Sequence, residues 1–396
     1  MPTPINPALV IAGPAYVFTR NKAFYSKGNV VVSPKIETFG IELAAYGSIE
    51  DRESNASLEV KFTPVGRLDA LSVLWPYGIV SPGELVHAVA QIVSVDTATE
   101  IITFNSLARF RDGAPIVTAT LGTLPTGLSA GLYYLHKLSA TTGTLHTSEA
   151  NALAGTSAVN LTASGTGISR IIEQEYLKII TLTGDQYMFH NTAVVASPDF
   201  NGSAASTAIG EVTFEAFRKF GTAPTNANSF FTKSTGTTLD TSFDPSNIVT
   251  QAYSLAWGAS LPWSALSTRA GIKATFPLSV EAIGDDASGL STRRINSADA
   301  AFSCTPIGVT EDDVYTKLVL QDTGAGRGRR LTSTDNLLLS DGSSVYLQLY
   351  GAVLQPGSFN YDKALDRVGE LTWKPTRTFA SGVAKALYYV GGTTPP

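Results

Sequence analysis

Gly127-Leu128-Ser129-Ala130-Gly131 has the Gly-x-Ser-x-Gly spacing of a nucleophile elbow. That device needs a buried strand before the serine and a helix behind it, so that the hydroxyl stands on a strained turn. Here a loop containing Pro125 comes before, and the strand-like run Leu132-Tyr133-Tyr134-Leu135 comes after, so Ser129 reads as part of a glycine-rich turn. His87, His136, His146 and His190 show neither HExxH nor ligand-pair spacing, and the single cysteine, Cys304, leaves no structural zinc site to complete. Gly324-Ala325-Gly326-Arg327-Gly328-Arg329-Arg330 lacks the Gly-Lys-Ser/Thr ending of a phosphate loop and reads as a basic loop. Asp285/Asp286 and Asp312/Asp313 lack the alternating oxygen spacing of a calcium loop. The first pair reads as interface charge and the second as acids at a helix start. The residues therefore predict no catalytic centre, no cofactor and no metal.

Composition narrows the remaining classes. A net charge of −5, with no Lys/Arg cluster longer than Arg327 to Arg330, gives no broad basic footprint for gripping nucleic acid. One cysteine excludes an intrachain disulfide framework, so burial must hold the fold, and Cys304 reads as a small core residue. No apolar run approaches the length of a membrane span, and Met1-Pro2-Thr3-Pro4-Ile5 carries no basic stretch of a signal peptide, which predicts no anchor and no secretion by that route. With 35 Gly, 20 Pro and short Val/Ile/Tyr/Phe runs between turn residues, the chain reads as mainly β.

What organises these elements is repetition. Phe62-Thr63-Pro64-Val65-Gly66 returns as Cys304-Thr305-Pro306-Ile307-Gly308, and Gly210-Glu211-Val212-Thr213-Phe214 returns as Gly369-Glu370-Leu371-Thr372-Trp373. A fixed-order recurrence means one duplicated unit rather than two unrelated ones. The first copy spans 148 residues from Thr63 to Glu211 and the second 65 from Thr305 to Glu370, which places an insertion of 83 residues at about 91 to 172. The predicted organisation is a first unit at 1–90 plus 173–220, an inserted β-rich module at 91–172, a linker at 221–244 and a second unit at 245–396.

Within each unit the pattern predicts a β-barrel or sandwich with one flanking α-helix. Leu58-Glu59-Val60-Lys61-Phe62 alternates as a half-buried strand. Thr310 can cap a helix whose first turn holds Glu311, Asp312 and Asp313, with Leu68, Leu71 and Leu74 as its counterpart in the first unit. Residues 1–14, rich in proline, suit an extended arm. The polar segments 46–57 and 284–299 read as long charged loops, the first carrying Glu50, Asp51, Arg52 and Glu53, the second Asp285, Asp286, Arg293 and Arg294.

Phe62-Thr63-Pro64-Val65-Gly66 followed by Leu74-Trp75-Pro76-Tyr77-Gly78, the opening Gly13-Pro14-Ala15, and Gly210-Glu211-Val212-Thr213-Phe214 together resemble the major tail (tail-tube) protein of long non-contractile-tailed bacteriophages. The resemblance covers about 1–90 and 173–390. The insert, through Leu124-Pro125-Thr126-Gly127-Leu128, Tyr133-Tyr134 and Asn151 to Thr156, resembles a module found in assorted phage virion proteins. The resemblance implies a structural virion protein, not an enzyme, whose stacked rings form the tail tube and conduct DNA during ejection without sequence-specific binding. Two units per chain would give a trimeric, pseudo-hexameric ring, with the tape measure protein and other tail proteins as partners and the insert pointing outward. In such a tube the two charged loops are the expected ring-stacking interface, where opposite charges set register. The alternative within the same class is a capsid decoration or a tail-surface adhesin that binds through the inserted module.

Overall fold

The computed structural model describes residues 10–11, 15–20, 22–43, 47–66, 71–181, 184–202, 207–218, 230–235, 253–285, 289–320, 335–340, 346–355, 357–359, 368–377, 379–380, 383–384 and 386–391. Strands dominate them. The chain opens with β1 (Val10–Ile11), β2 (Ala15–Thr19), β3 (Val30–Leu43) and β4 (Gly47–Phe62). In β4, Leu58, Val60 and Phe62 enter the core while Ser57, Glu59 and Lys61 take the other face, as the two-residue period requires. Part of the proline-rich arm is a strand too, since Val10 and Ile11 pair with Val31 and Val30 on the edge of β3.

The inserted module follows as a closed six-stranded barrel, in the order β8-β9-β6-β5-β10-β7. Its strands are β5 (Val89–Asp96), β6 (Ile101–Phe104), β7 (Ala114–Thr120), β8 (Leu132–Lys137), β9 (Thr142–His146) and β10 (Ser169–Glu173). β10 closes the ring by pairing with both β5 and β7. Ala90, Ile102, Phe104, Leu107, Ile116, Leu135, Leu145 and Ile171 form a core of its own, separate from the larger core of the rest. Between β9 and β10 lies helix α1 (Glu149–Ala154), started by the Ser148 hydroxyl accepting from Asn151 N and stopped by Gly155 in the left-handed region. Residues 158–162 supply an isolated bridge from Ala158 to His146.

The chain then continues as β11 (Leu177–Thr181), β12 (Gln186–Phe189), β13 (Thr192–Ala196), β14 (Phe200–Gly202), β15 (Thr207–Ile209), β16 (Val212–Ala216) and β17 (Phe231–Ser234). Two sheets contribute to the larger core. One has the order β1-β3-β4-β16-β13, and the other contains β17-β12-β11-β2. β17 falls inside 221–244, so part of the predicted linker is a strand of the first sandwich, paired with β12 from Phe189↔Phe231 to Gln186↔Ser234. Residues 221–229 and 236–252 lie outside the described ones.

The second sandwich is built from β18 (Ser254–Trp257), β19 (Ser267–Thr275), β20 (Leu278–Asp285), β21 (Gly289–Ala298), β22 (Ala301–Ile307), helix α2 (Glu311–Leu320), β23 (Leu337–Ser340), β24 (Tyr346–Leu349), β25 (Val353–Gln355), β26 (Leu371–Lys374) and β27 (Tyr388–Gly391). Thr310 and Asp313 cap α2 reciprocally, with Thr310 N donating to Asp313 Oδ2 at 2.9 Å and Asp313 N to Thr310 Oγ1 at 3.2 Å. The counterpart near Leu71 and Leu74 is a short 3-10 turn at Ser72–Leu74, with 67–70 outside the described residues. Its own strands take the orders β19-β22-β26-β25, in a sheet that β14 and β15 extend beyond β19, and β18-β23-β24-β27. Taken in chain order, these eight strands pair as β3-β4-β16-β13 and β2-β11-β12-β17 do in the first sandwich.

The polar segments 46–57 and 284–299 are not loops. Most of the first is β4, and most of the second is β21 returning from the tip of the β20–β21 hairpin. Glu50, Asp51, Arg52 and Glu53 stand opposite Ile41, Gly40, Phe39 and Thr38. A polar run read alone resembles a turn, but a β-prone partner strand holds it in a ladder, because strand preference depends on the neighbour. The two hairpins agree in detail. Their register shifts fall at 37/38 and 41/42 in one and at 279/280 and 283/284 in the other, each 242 residues apart.

The barrel leaves and rejoins the sandwich through paired residues, Val89 opposite Ile172. Replacing 90–171 by a two-residue Asn-Gly turn should therefore keep a folded sandwich pair with a single cooperative melt. Loss of that transition, followed by circular dichroism, would show that the barrel is needed for the core.

Candidate functional site

The chain's most elaborate constellation is the seam between the two sandwiches. β14 leaves the first sandwich and pairs with the edge of β19 in the second, Phe200 opposite Ala274, Asn201 opposite Lys273 and Gly202 opposite Ile272. Phe200 is fully buried, and its ring meets Tyr253 edge-on at 5.4 Å between centroids. Trp75 packs on Phe276 at 5.8 Å while its Nε1 donates to Pro198 O at 2.9 Å, and Phe276 packs on Tyr388 at 4.9 Å. Leu387 N donates to Gly78 O at 2.6 Å, an approach so close that a Cβ on residue 78 would stand 2.4 Å from Tyr388 O. Leu74-Trp75-Pro76-Tyr77-Gly78, noticed in the sequence only for its resemblance, is thus the segment on which the second sandwich rests.

The other half of the seam is the β20–β21 hairpin, which crosses onto the first sandwich. Arg293 grips Glu215 of β16 with two nitrogens, Nη2 to Oε1 at 2.7 Å and Nε to Oε2, and Ser57 Oγ donates to the same carboxylate at 2.5 Å. The Glu215 side chain is 2% exposed, so it needs this cation. Beside it, Val86 N donates to Arg293 O at 2.9 Å, and Ile295 N donates to Glu84 O at 2.8 Å. His87 Nδ1 lies 2.8 Å from Thr292 Oγ1, and burial pulls its pKa down to about 4, so the ring is neutral at pH 7.

Of the eight charged residues expected to stack rings, the two with described side chains have partners within the chain. Arg293 is committed to Glu215 inside the chain, and Arg294 pairs with Glu281 across its own hairpin with both side chains partly exposed. Glu50, Asp51, Arg52 and Glu53 are placed by backbone register on β4, and Asp285 at the end of β20, while Asp286 lies outside the described residues. No local signal marks Arg293, because its partner stands 78 residues earlier in the chain.

The reactive-looking residues have structural partners. The turn at Gly127 runs into strand β8 and not into a helix, and a Cβ there would sit 2.0 Å from Asn160 O, so the φ of +108° is reserved for glycine. Ser129 Oγ lies 3.3 Å from the Tyr133 hydroxyl. His146 is held by Thr144 Oγ1 and Thr156 O, each at 2.8 Å. Cys304 is a buried core residue whose thiol burial pushes up to about 12. Among the described residues no group of His, Cys, Asp and Glu could hold a metal, and no helix is long and apolar enough to cross a membrane. A cleft of about 630 Å³ lies between the barrel and residues 79–87, but its Arg109 is engaged by Glu84 and by the carbonyls of Leu85 and Val86. At the barrel's base Arg20 meets Glu173 at 3.3 Å and Arg111 meets Glu175 at 2.6 Å, and burial pushes the Glu175 carboxyl above its ordinary value. These pairs anchor the module.

Arg293→Ala leaves a buried carboxylate uncompensated and should cost about 3–5 kcal/mol in urea unfolding, whereas Arg294→Ala loses only a partly exposed pair, about 0–1 kcal/mol. Equal losses would contradict the seam's dependence on Arg293.

No protein-family model matches this chain, and no curated protein matches it.

Proposed function

We propose that the chain is a structural subunit of a phage tail tube, carrying two copies of one tube unit, so that three chains make a pseudo-sixfold ring and stacked rings conduct DNA. The observation that carries this reading is the residue-by-residue correspondence of the two sandwiches. It extends to both bulges of the long hairpins, to the ladders Val60↔Phe214 and Phe302↔Trp373, and to Leu177↔Phe189 and Leu337↔Leu349. Two like units already joined side by side by an edge strand and a crossing hairpin are what a repeating wall requires, because a head-to-tail contact that recurs either closes a ring or runs on as a filament.

The physics of a conduit agrees with the charge. Duplex DNA carries one negative charge per about 1.7 Å, so a strongly basic wall would hold it, and a chain of net charge −5 lets it slide. On this reading the tape measure protein and other tail proteins are its partners, the virion tail its location, and the barrel faces outward. A second reading, a capsid decoration or tail-surface adhesin, draws on the barrel's exposed Val93, Leu121 and Leu132, which are 61%, 82% and 49% accessible.

Purified chain, concentrated at physiological salt, should form unbranched hollow polymers in negative-stain electron microscopy and should not retard duplex DNA in a gel. A chain that stays monomeric at every concentration, or that holds DNA tightly, would contradict the tube reading; monomers that adhere to capsids or cells through the barrel would favour the second.

A further inference from the structure

The seam within the chain uses one side of each sandwich, and among the described residues the matching side of the other makes no such contact. The first sandwich gives the seam β14 and the strand face around Glu215, and keeps its own long hairpin β3–β4. The second gives its hairpin β20–β21 and the edge of β19, and keeps the strand face around β26. Corresponding positions are fixed by the ladders. Arg293, opposite Ala282, matches Asp51, opposite Gly40, 242 residues earlier. Glu215 follows Phe214, which lies opposite Val60, and Lys374 follows Trp373, which lies opposite Phe302, so Lys374 matches Glu215. The turn that carries β14 has a counterpart as well. Phe200↔Ile209 is matched by Phe359↔Val368, and the bond from Gly210 N to Asp199 O (2.7 Å) by that from Gly369 N to Ser358 O (2.9 Å).

At the matching positions the charges are exchanged. Inside the chain the hairpin carries the base, Arg293, and the strand carries the acid, Glu215. On the two remaining sides the hairpin carries the acid, Asp51, and the strand carries the base, Lys374. Lys374 is exposed and has no ion-pair partner among the described residues. The edge of β3 at Val30 and Val31, the positions matching Ile272 and Lys273, is covered by β1 of the same chain, so a contact between chains has the hairpin and the strand face to use and not this edge.

We propose that these two sides bind each other in a second copy of this chain, Asp51 of one chain pairing with Lys374 of the next, so that the contact between chains repeats the hairpin-on-strand half of the seam within each. The inference rests on the tube reading and names its ring contact. Exchanged polarity makes the contact selective. The hairpin of a first sandwich laid on another first sandwich would set Asp51 against Glu215, and a second on a second would set Arg293 against Lys374. Both are like-charged, so units must alternate around the ring.

The test uses the full chain with Asp51→Lys, Lys374→Glu, and both together, each checked for an unchanged thermal melt, and reads assembly by sedimentation velocity and electron microscopy over a concentration series. Each single reversal should raise the concentration needed for rings about tenfold or more, and the double reversal should bring it back to within about threefold of the unaltered chain. The double variant reads out even if one single variant folds poorly. Single variants that assemble as the unaltered chain does, a double variant no better than the singles, or single variants that form rings but fail to stack would each overturn the proposal while leaving the tube reading intact. An unaltered chain that never assembles would remove the tube reading and this contact together.

Discussion

An open β-sheet ends in a strand whose N–H and C=O groups will accept another strand, and this constraint governs how the two sandwiches are joined. The edge of β19 is satisfied by β14 from the other sandwich, and the edge of β3 by the two residues of β1. The first covering fixes the position of one sandwich against the other, and everything else in the seam follows from that placement. Phe200 is carried into its site against Tyr253, Trp75 onto Phe276, and the β20–β21 hairpin across β16 where Arg293 finds Glu215. An edge met by a strand of the same chain is also an edge withdrawn from random aggregation.

Apolar burial and the buried charge pair do different work at this seam. Trp75, Phe200, Phe276 and Tyr388 remove large aromatic surfaces from water and so supply the attraction. Such surfaces would tolerate several registers. The Arg293–Glu215 pair contributes less net stability, because both groups had to be desolvated, but it is satisfied in a single register and is costly in any other. Gly78 adds a steric condition of the same kind, since only a residue without Cβ lets Tyr388 O come so near.

The sequence made some of this legible and hid the rest for identifiable reasons. Alternation along Leu58 to Phe62 and the cap at Thr310 are local signals, and each appears where those residues predict it. The recurrence of Thr-Pro-x-Gly and Gly-Glu-x-Thr marked an interruption at 91–172, and the barrel strands run from Val89 to Glu173. The charged halves of the long hairpins were not legible as strands, because their ladders depend on β-prone partners such as Phe39 and Ile41 across the hairpin. β17 was hidden inside a Gly/Ser/Thr-rich stretch, where only four residues pair with β12. The fate of Arg293 could not be read locally at all, because its partner is brought to it by the join between sandwiches. The Ser148 to Gly155 helix was within reach, since a capping serine and a terminal glycine bracket it.

Whether the two sandwiches act as equivalent positions of a ring is read from an electron cryomicroscopy reconstruction of the assembled polymer at a resolution that separates the barrel from the sandwiches. On the proposed reading, in which each chain supplies two wedges and one barrel, each layer should show six closely similar wedges with outward barrels on three alternate ones. Six barrels in a layer, or wedges of two unrelated shapes, would contradict the account.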